Sequence, residues 1–518
     1  MPKSKEVIAS GYGDAGASYS KRALKKFLAH SSSPIEDIDF YNATLRQRGR
    51  MLFMAAPLAT SAVNTNDTTI VGTGLKMKCH INTQILGLSE QEAKKWQFKT
   101  ESEFAFWAEN KNNCDALGMN NFYELQSVAL KSWLMSGDVF AALKRIKTTS
   151  RLNPYSLRIQ LIEADRVCTP NKVNNGIYTY TEGQNSNNGN YIHDGVEVNS
   201  DGRVVAYHVC DVHPNAGFYS GKMPKWARVE AVGKKTGIPN ILHVMNAERP
   251  DQYRGVTYLA PVIEVLLQHR RYTESELVAA VVQSFFTAFI TSEADSTGIP
   301  FLDREEDEEK NDENGDRETI QLGPGEIVEL KPGESITFGN PNIPTVGFEA
   351  FTQSIAKQVG AALEIPYDVL MKEFNSSYSA SKGALEEAWK MFKKRRSWFV
   401  SDFCKPIYEA WLAEAVARGR ISAPGFFTDP LIRAAWSGTR WDGPAQTHLD
   451  PLKEAKANAI VVSHGWKTNE QITREFYNGN YEENIQALSA ENALSQGVLN
   501  NNNITFNDLE EEEENAEE

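Results

Sequence analysis

The chain has 518 residues, a formal net charge of −14 at pH 7 and 41% hydrophobic residues. Its length exceeds the ~250–300 residues at which single cores stop growing, so several modules are expected, and its apolar and aromatic content excludes a disordered chain. No stretch reaches the ~18 uninterrupted apolar residues of a membrane span, and the N-terminus, MPKSKEVIASGYGDAG, lacks the apolar core of a secretion signal.

The charge is concentrated. Residues 303–318, DREEDEEKNDENGDRE, hold ten acids and three bases, and residues 508–518 hold eight acids and no base. The remainder is close to neutral, so the protein body is not acidic. The five cysteines, Cys79, Cys114, Cys168, Cys210 and Cys404, form no CxxC, which argues for buried thiols over a disulfide frame or a zinc site.

In chain order, residues 1–40 read as a loosely built leader with one short basic helix around Lys21–Ala29. Thr44 to Ala62 carries a helical pattern, and Gly72–Gly74 turns the chain into a strand at Leu75–Ile81. Residues 98–145 read as helices, with Phe104, Phe106 and Trp107, then Leu125, Ala129 and Trp133, on their apolar faces. From Leu157 to Val244 the period falls to two, and turns such as Asn199–Gly202 separate strands such as Val204–Cys210. The body is therefore α+β. Cys210 lies between His208 and His213, which admits a metal reading, but alternating Tyr207, Val209 and Val212 explain the segment as a strand. No metal or cofactor is expected.

Gly255 to about Phe286 predicts one long helix of some 30 residues, ~45 Å at ~1.5 Å per residue, with Pro261 tolerated in its first turn. Arg249, Asp251 and Arg254 just before it read as caps and structural contacts. Phe285–Ser292 is strand-like, the acidic run follows as a surface loop, and Ile320–Phe338 reads as short strands between GPG and PG turns.

Residues 346–400 are the most informative. Phe348, Phe351, Ile355, Val359 and Leu363 line one helical face, and Pro366 stops that helix at Ile365. Leu385, Trp389, Phe392, Phe399 and Phe403 line a second, whose remaining circumference carries Lys390, Lys393, Lys394, Arg395 and Arg396. Between them runs a polar, Ser-rich segment. The layout is that of a moving loop between two rods, and a basic helix beside it suits a nucleic-acid channel. A helix at Ile407–Arg418 ends at Gly419, Trp436, Trp441 and Trp466 read as core or interface anchors, and a helical region over 450–495 precedes an Asn-rich, acidic tail.

Catalytic signatures are scarce. There is no GxxxxGK[ST], HExxH or GxSxG, and VGKKTG at 232–237 only imitates a phosphate loop. SASK at 379–382 fits an SxxK pattern without its partner motifs, and Lys310 stands where the first ligand of a calcium loop would be. The chain is therefore not expected to be an enzyme.

IPYDVLMKEFNSSYSASKGALEEAWKMFKKRRSWFV resembles the tunnel-loop region of lambda-like portal proteins of tailed bacteriophages. The likeness continues through RPDQYRGVTYLAPVIEVLLQHRRYTESELVAA (249–280), LGPGEIVELKPGESITFGNPNIPTVGFEAF (322–351), VGTGL (71–75), SGDVF (136–140), LIEADRV (161–167), DGVEVNSDGRVVAYHV (194–209) and DPLKEAKANAIVVSHGWKT (450–468), in family order over roughly residues 40–490.

The resemblance implies an α+β, portal-type ring subunit with wing, stem helices, clip, tunnel loop and helical crown. Residues 1–250 would be leader and wing, 251–286 a stem helix, 287–346 the clip with its acidic insertion, and 347–365 a second stem helix. The tunnel loop would be 366–382, a long helix and the rest of the wing 383–445, the crown 446–500, and the acidic tail 501–518. The ring, usually twelve-fold, would sit at one capsid vertex as the channel for DNA packaging and ejection. Its partners would be further copies of itself, double-stranded DNA, the terminase large subunit, a head-tail adaptor and the major capsid protein, with no membrane. It would occupy the virion after assembly in the host cytoplasm. Lys372, Phe374, Asn375, Ser376, Ser377, Tyr378 and Ser379 would face the bore beside the basic helix, and Glu305, Glu306, Asp307, Glu308 and Glu309 would form the docking surface of the clip. Two other readings are a nucleic-acid-processing enzyme or motor subunit, which would need a carboxylate cluster or nucleotide loop, and a capsid component without a channel.

Overall fold

The computed structural model describes residues 12, 16–19, 21–27, 29–147, 152–170, 183–184, 188–216, 224–285, 289–292, 334–337, 347–374, 377–446, 450–477 and 479–502. The chain divides into two compact units, Met1–Ile263 with Lys357–Glu518, and Glu264–Ala356.

The first unit opens with two helices, α1 (Phe40–Ala55) and α2 (Pro57–Ile70). The sequence reads as one helix here, but Pro57 forces the residue before it out of the helical region, and Ala56 is extended. Strand β1 (Lys76–Cys79) and the one-turn helix α3 (Thr83–Leu86) follow. Helix α4 (Glu90–Glu109) starts on a capping box between Ser89 and Glu92. After the short α5 (Lys111–Cys114), α6 (Phe122–Ser136) starts on a second box between Asn121 and Glu124. The chain turns at Gly137, φ +89°, into strand β2 (Asp138–Arg145). The predicted helical continuation to 145 is therefore a strand. A short apolar run such as Val139–Leu143 fits either state, and burial on both sides of a sheet decided it.

Strand β3 (Leu157–Glu163) flanks β2 on one side and β9 (Ile241–Met245) on the other, all antiparallel. Between them lies a meander of β4 (Gly183–Gln184), β5 (Tyr191–His193), β6 (Val196–Val198), β7 (Val204–Cys210) and β8 (Trp226–Glu230). Asp194 and Gly195, both at positive φ, make the tight Asp-Gly turn between β5 and β6. The two sheets share a core of Phe140, Ile162, Val196, Val198 and Tyr207. A second core is aromatic: Phe104 meets Trp411, Tyr408 and Phe122 edge-on at ring distances of 5.1, 5.5 and 5.8 Å. Phe106, predicted beside Phe104 and Trp107, instead faces solvent. All five cysteines are buried and free.

Residues 21–27 form turns where a basic helix is predicted. The second unit contains most of helix α7 (Ile263–Phe285), which is 23 residues long rather than some 30. Its predicted first turns are used otherwise, because Arg254 to Leu259 fold back on α6 and only a 3-10 turn, Ala260–Val262, leads into the helix. Strands β10 (Phe289–Ser292) and β11 (Glu334–Thr337) pair antiparallel, and Tyr272 packs against Phe348 and Phe351 at 5.6 and 5.0 Å.

Helix α8 (Phe348–Ala362) returns to the first unit, followed by α9 (Tyr367–Met371) and α10 (Tyr378–Phe399). A wide turn, Val400–Cys404, carries α10 into α11 (Lys405–Ala417), and α12 (Pro430–Trp436) leads to β12 (Thr439–Asp442). β12 pairs with β1, some 360 residues upstream. Helices α13 (Pro451–Ser463), α14 (Asn469–Tyr477) and α15 (Tyr481–Asn502) complete the chain. Trp436 and Trp441 are buried as expected, whereas Trp466 is 72% exposed. Among the described residues no helix is long and apolar enough to cross a membrane.

One fully buried guanidinium joins these parts. Arg254 donates to Asp138 at 2.6 and 3.2 Å, pairs with Asp194 at 2.7 Å, and donates to the carbonyls of Val167 and Ala164 at 2.8 and 3.0 Å. Arg46 of α1 adds a 2.7 Å bond to Asp194, and His243 of β9 sits 3.3 Å from Asp138. Gly137 and Gly255 make the approach possible: a Cβ on Gly255 would lie 1.9 Å from the Gly137 carbonyl oxygen. Burial alone would raise the Asp138 carboxyl, but the adjacent Arg254 and Arg46 hold it far below the usual carboxylate range.

Arg254→Ala would strand Asp138 and Asp194 in the core, and a loss of about 3–5 kcal/mol in denaturant unfolding is expected. Arg249→Ala, which removes an exposed pair with Asp37 and an exposed bond to the Ser32 carbonyl, should cost under ~1 kcal/mol. Burial lowers the pKa of His243 despite Asp138 beside it. The folded state therefore favours the neutral ring, a contribution present above ~6.5 and lost as pH falls through the lower folded value. His208 has the same sign and His213 the opposite one. In His243→Gln the decline of stability below pH 6.5 should be shallower, as read by unfolding midpoints across pH.

Candidate functional site

Residues 363–377 connect α8 to α10 through two successive helix ends. Leu363 N donates to Val359 O and Ile365 N to Gly360 O, while Glu364 takes the left-handed conformation, φ +57°. A Cβ on Gly360 would come within 2.5 Å of the Ile365 carbonyl oxygen, so a side chain there would block this fold-back. Pro366 then excludes a continuous helix. α9 ends the same way, with Glu373 N donating to Asp368 O at 3.0 Å and Lys372 left-handed at φ +57°. Each left-handed non-glycine residue costs ~1–2 kcal/mol, so the segment is bent against local preference and held by its neighbours. Buried Leu370 docks α9, and Ser61 of α2 donates to the Leu370 carbonyl at 2.7 Å.

The predicted loop residues fall at different places on this frame. Lys372 and Phe374 are exposed beyond α9, and Ser377 is the residue before α10. Tyr378 opens α10 and Ser379 lies exposed in its first turn, so the predicted loop over 366–382 is helical at both ends. Asn375 and Ser376 lie outside the described residues, as do Glu305, Glu306, Asp307, Glu308 and Glu309.

The predicted basic face divides in two. Lys390, Lys393 and Lys394 are exposed, with Lys390 paired to Glu387 at 2.7 Å. Arg395 turns inward: it donates to Asn66 at 2.6 Å, pairs with Glu364 at 3.1 Å and lies 4.5 Å over the Tyr258 ring, whose hydroxyl donates to the Leu363 carbonyl. Arg396 donates to the carbonyls of Thr69, Ile70 and Pro444 at 2.6, 3.0 and 2.9 Å, capping the end of α2. Burial lowers its pKa to about 10, against the pull of Asp442, which leaves it charged at neutral pH. Two of the five cations thus brace the frame. Nothing periodic in the sequence marks this, because their partners on α2, Asn66, Thr69 and Ile70, lie more than 320 residues upstream.

The His208, Cys210 and His213 set does not assemble as a metal site. His208 is bonded to Glu197 at 3.0 Å, and His213 lies with Glu163 and Asp165 beside Arg50, which already pairs with both acids. Sequence reasoning gave Arg254 only a general structural role, and it missed Asp138 and Tyr258 altogether.

Arg396→Ala should uncap α2 and lower stability by about 2–3 kcal/mol. Lys393→Ala should change it by under ~0.5 kcal/mol in the same unfolding assay.

The family model described as phage portal protein, lambda family, matches residues 20–396. Portal protein B of Escherichia phage lambda is 23% identical over 437 residues, covering 80% of this chain and 76% of the relative. The portal protein of Escherichia phage N15 is 23% identical over 430 residues, covering 80% and 77%. Among solved structures, the neck of a native GTA particle computed with C12 symmetry matches at 12% identity and a TM-score of 0.42, over 84% of this chain and 92% of that one.

Proposed function

The chain belongs to the lambda family of phage portal proteins, and from that premise we propose that it is the subunit of a closed ring, twelve-fold in the particle, that forms the DNA channel at one capsid vertex. The observation that carries the reading is the family match across residues 20–396, which includes the segment between α8 and α10. The family is structural, and the ring is read as a passive conduit that a separate motor drives.

A conduit must touch DNA without holding it, because each cation that neutralises a phosphate raises affinity and adds friction. The segment 366–382 suits that need. It exposes Lys372 and Phe374 on a bend braced from behind by Arg395 and Arg396. We assign Lys372, Phe374 and the polar run Asn375–Ser379 to the bore, with Lys390, Lys393 and Lys394 nearby. The acidic run containing Glu305, Glu306, Asp307, Glu308 and Glu309 is assigned to the surface that meets the terminase large subunit and later the head-tail adaptor. Its attraction for a basic partner would reach far only at low salt, since the screening length is ~8 Å near physiological ionic strength. The major capsid protein would surround the wing.

Light scattering and negative-stain imaging of the purified chain should give closed rings with a central hole, and monomers at every salt concentration would refute the reading. Combined Lys372→Ala, Ser377→Ala and Ser379→Ala should leave ring assembly intact and impair DNA packaging or retention. Wild-type packaging by that variant would remove these residues from the channel.

A further inference from the structure

A groove of about 580 Å3 lies between the end of α8 and the middle of α10, behind the channel segment. Its floor is apolar, built from Ile365, Pro366 and Met391, and its rim carries Lys357, Lys390 and Lys394. Lys390 is already paired with Glu387, and the nearby Glu364 is answered by Arg395. Lys357 lies 5.5 Å over the Tyr367 ring, and among the described residues neither it nor Lys394 has an ion-pair partner. Glu364 and Glu387 line the groove as well, each already paired, so it presents an apolar strip whose edge keeps Lys357 and Lys394 without ion-pair partners among the described residues, a combination that fits an extended peptide carrying apolar residues followed by acids.

This chain contains such a peptide. Residues 503–518, NITFNDLEEEEENAEE, lie beyond the described chain and follow directly on α15. Ile504 and Phe506, two apart, share one side of an extended segment, and eight acids with no base follow from Asp508 onward. We propose that this tail docks in the groove, Ile504 and Phe506 on the floor and the acids against Lys357, Lys390 and Lys394, in its own or an adjacent copy.

Reach and charge support this occupant over others. Sixteen extended residues span up to ~50 Å, and Lys382 at the start of α10 pairs with Glu454 of α13 at 3.7 Å, which sets the first of the C-terminal helices beside the helix that forms one wall. Tethering raises the local concentration of the tail into the millimolar range, enough for weak ion pairs and a few apolar contacts to hold it. The internal run 303–318 is also acidic and follows Ile299, Phe301 and Leu302, but it carries Arg304, Lys310 and Arg317 among its acids, whereas the tail carries no base. A docked polyanion would neutralise the lysines behind the bore, so that they do not add friction; that consequence rests on the channel reading, whereas the docking does not.

Carbodiimide treatment of the intact protein, followed by peptide mass spectrometry, tests the proposal because it joins a carboxylate to a lysine in contact with it. Amide links from the acids of 508–518 should concentrate on Lys357, Lys390 and Lys394, about tenfold over links to Lys234 and Lys235, and fade at ~1 M salt. Replacing Glu510–Glu514 with Gln should remove them. Links spread evenly over the exposed lysines, or links from the three lysines to residues 303–318 in place of the tail, would overturn the proposal. Because the links are read on the protein in any oligomeric state, they can fail while rings still form, or form while rings do not.

Discussion

The fold depends on how one buried charge is satisfied. Arg254 is fully enclosed, and a guanidinium without partners there would cost several kcal/mol. It is answered from β2, the turn after β3 and the β5–β6 hairpin, through Asp138, the carbonyls of Ala164 and Val167, and Asp194, while α1 and β9 join the cluster through Arg46 on Asp194 and His243 beside Asp138. Apolar packing of the same volume would be as stable, but it would not require these five segments to meet at one point. The ion cluster fixes the relation between the helical layer and the two sheets, and Gly137 against Gly255 fixes how closely the chain passes.

The segment between α8 and α10 hangs from the same frame by a different set of contacts. Asn66, Thr69 and Ile70 at the end of α2 receive Arg395 and Arg396, Ser61 on the same helix holds Leu370, and Tyr258, four residues after Arg254, holds Leu363. Cations that look from the sequence like a nucleic-acid surface are therefore of two kinds. Those with several protein acceptors set the shape, while those with solvent around them are available to phosphate or to an acidic peptide. The left-handed backbone at Glu364 and Lys372 bends the segment against local preference.

Much of this was legible from local pattern. The α+β class and the helical faces of Val359 and Leu363 and of Phe392 and Phe399 follow from spacing, and the order of the family segments pointed to the portal proteins; the helix before Pro366 ends at Ala362 rather than at the predicted Ile365, because the chain folds back with Ile365 N on Gly360 O. What was not legible depends on distant partners. Arg254 beside Asp138 and Arg396 beside Ile70 are pairs separated by 116 and 326 residues, and no periodicity announces them. The helix predicted from Gly255 failed for that reason, since its first residues are spent on the ion cluster and on Leu134. The strand β2 was read as helix because a run buried on both faces loses the alternation that identifies strands.

Native-state hydrogen exchange measured segment by segment tests most directly whether a rigid frame carries a yielding loop. Amides of 137–143 and 254–258 should exchange only through global unfolding, with rates that follow denaturant as the whole protein does, while those of 372–380 should open locally and exchange at least ~100-fold faster. Equal protection of the two regions, or exchange at 254–258 that is insensitive to denaturant, would contradict the account.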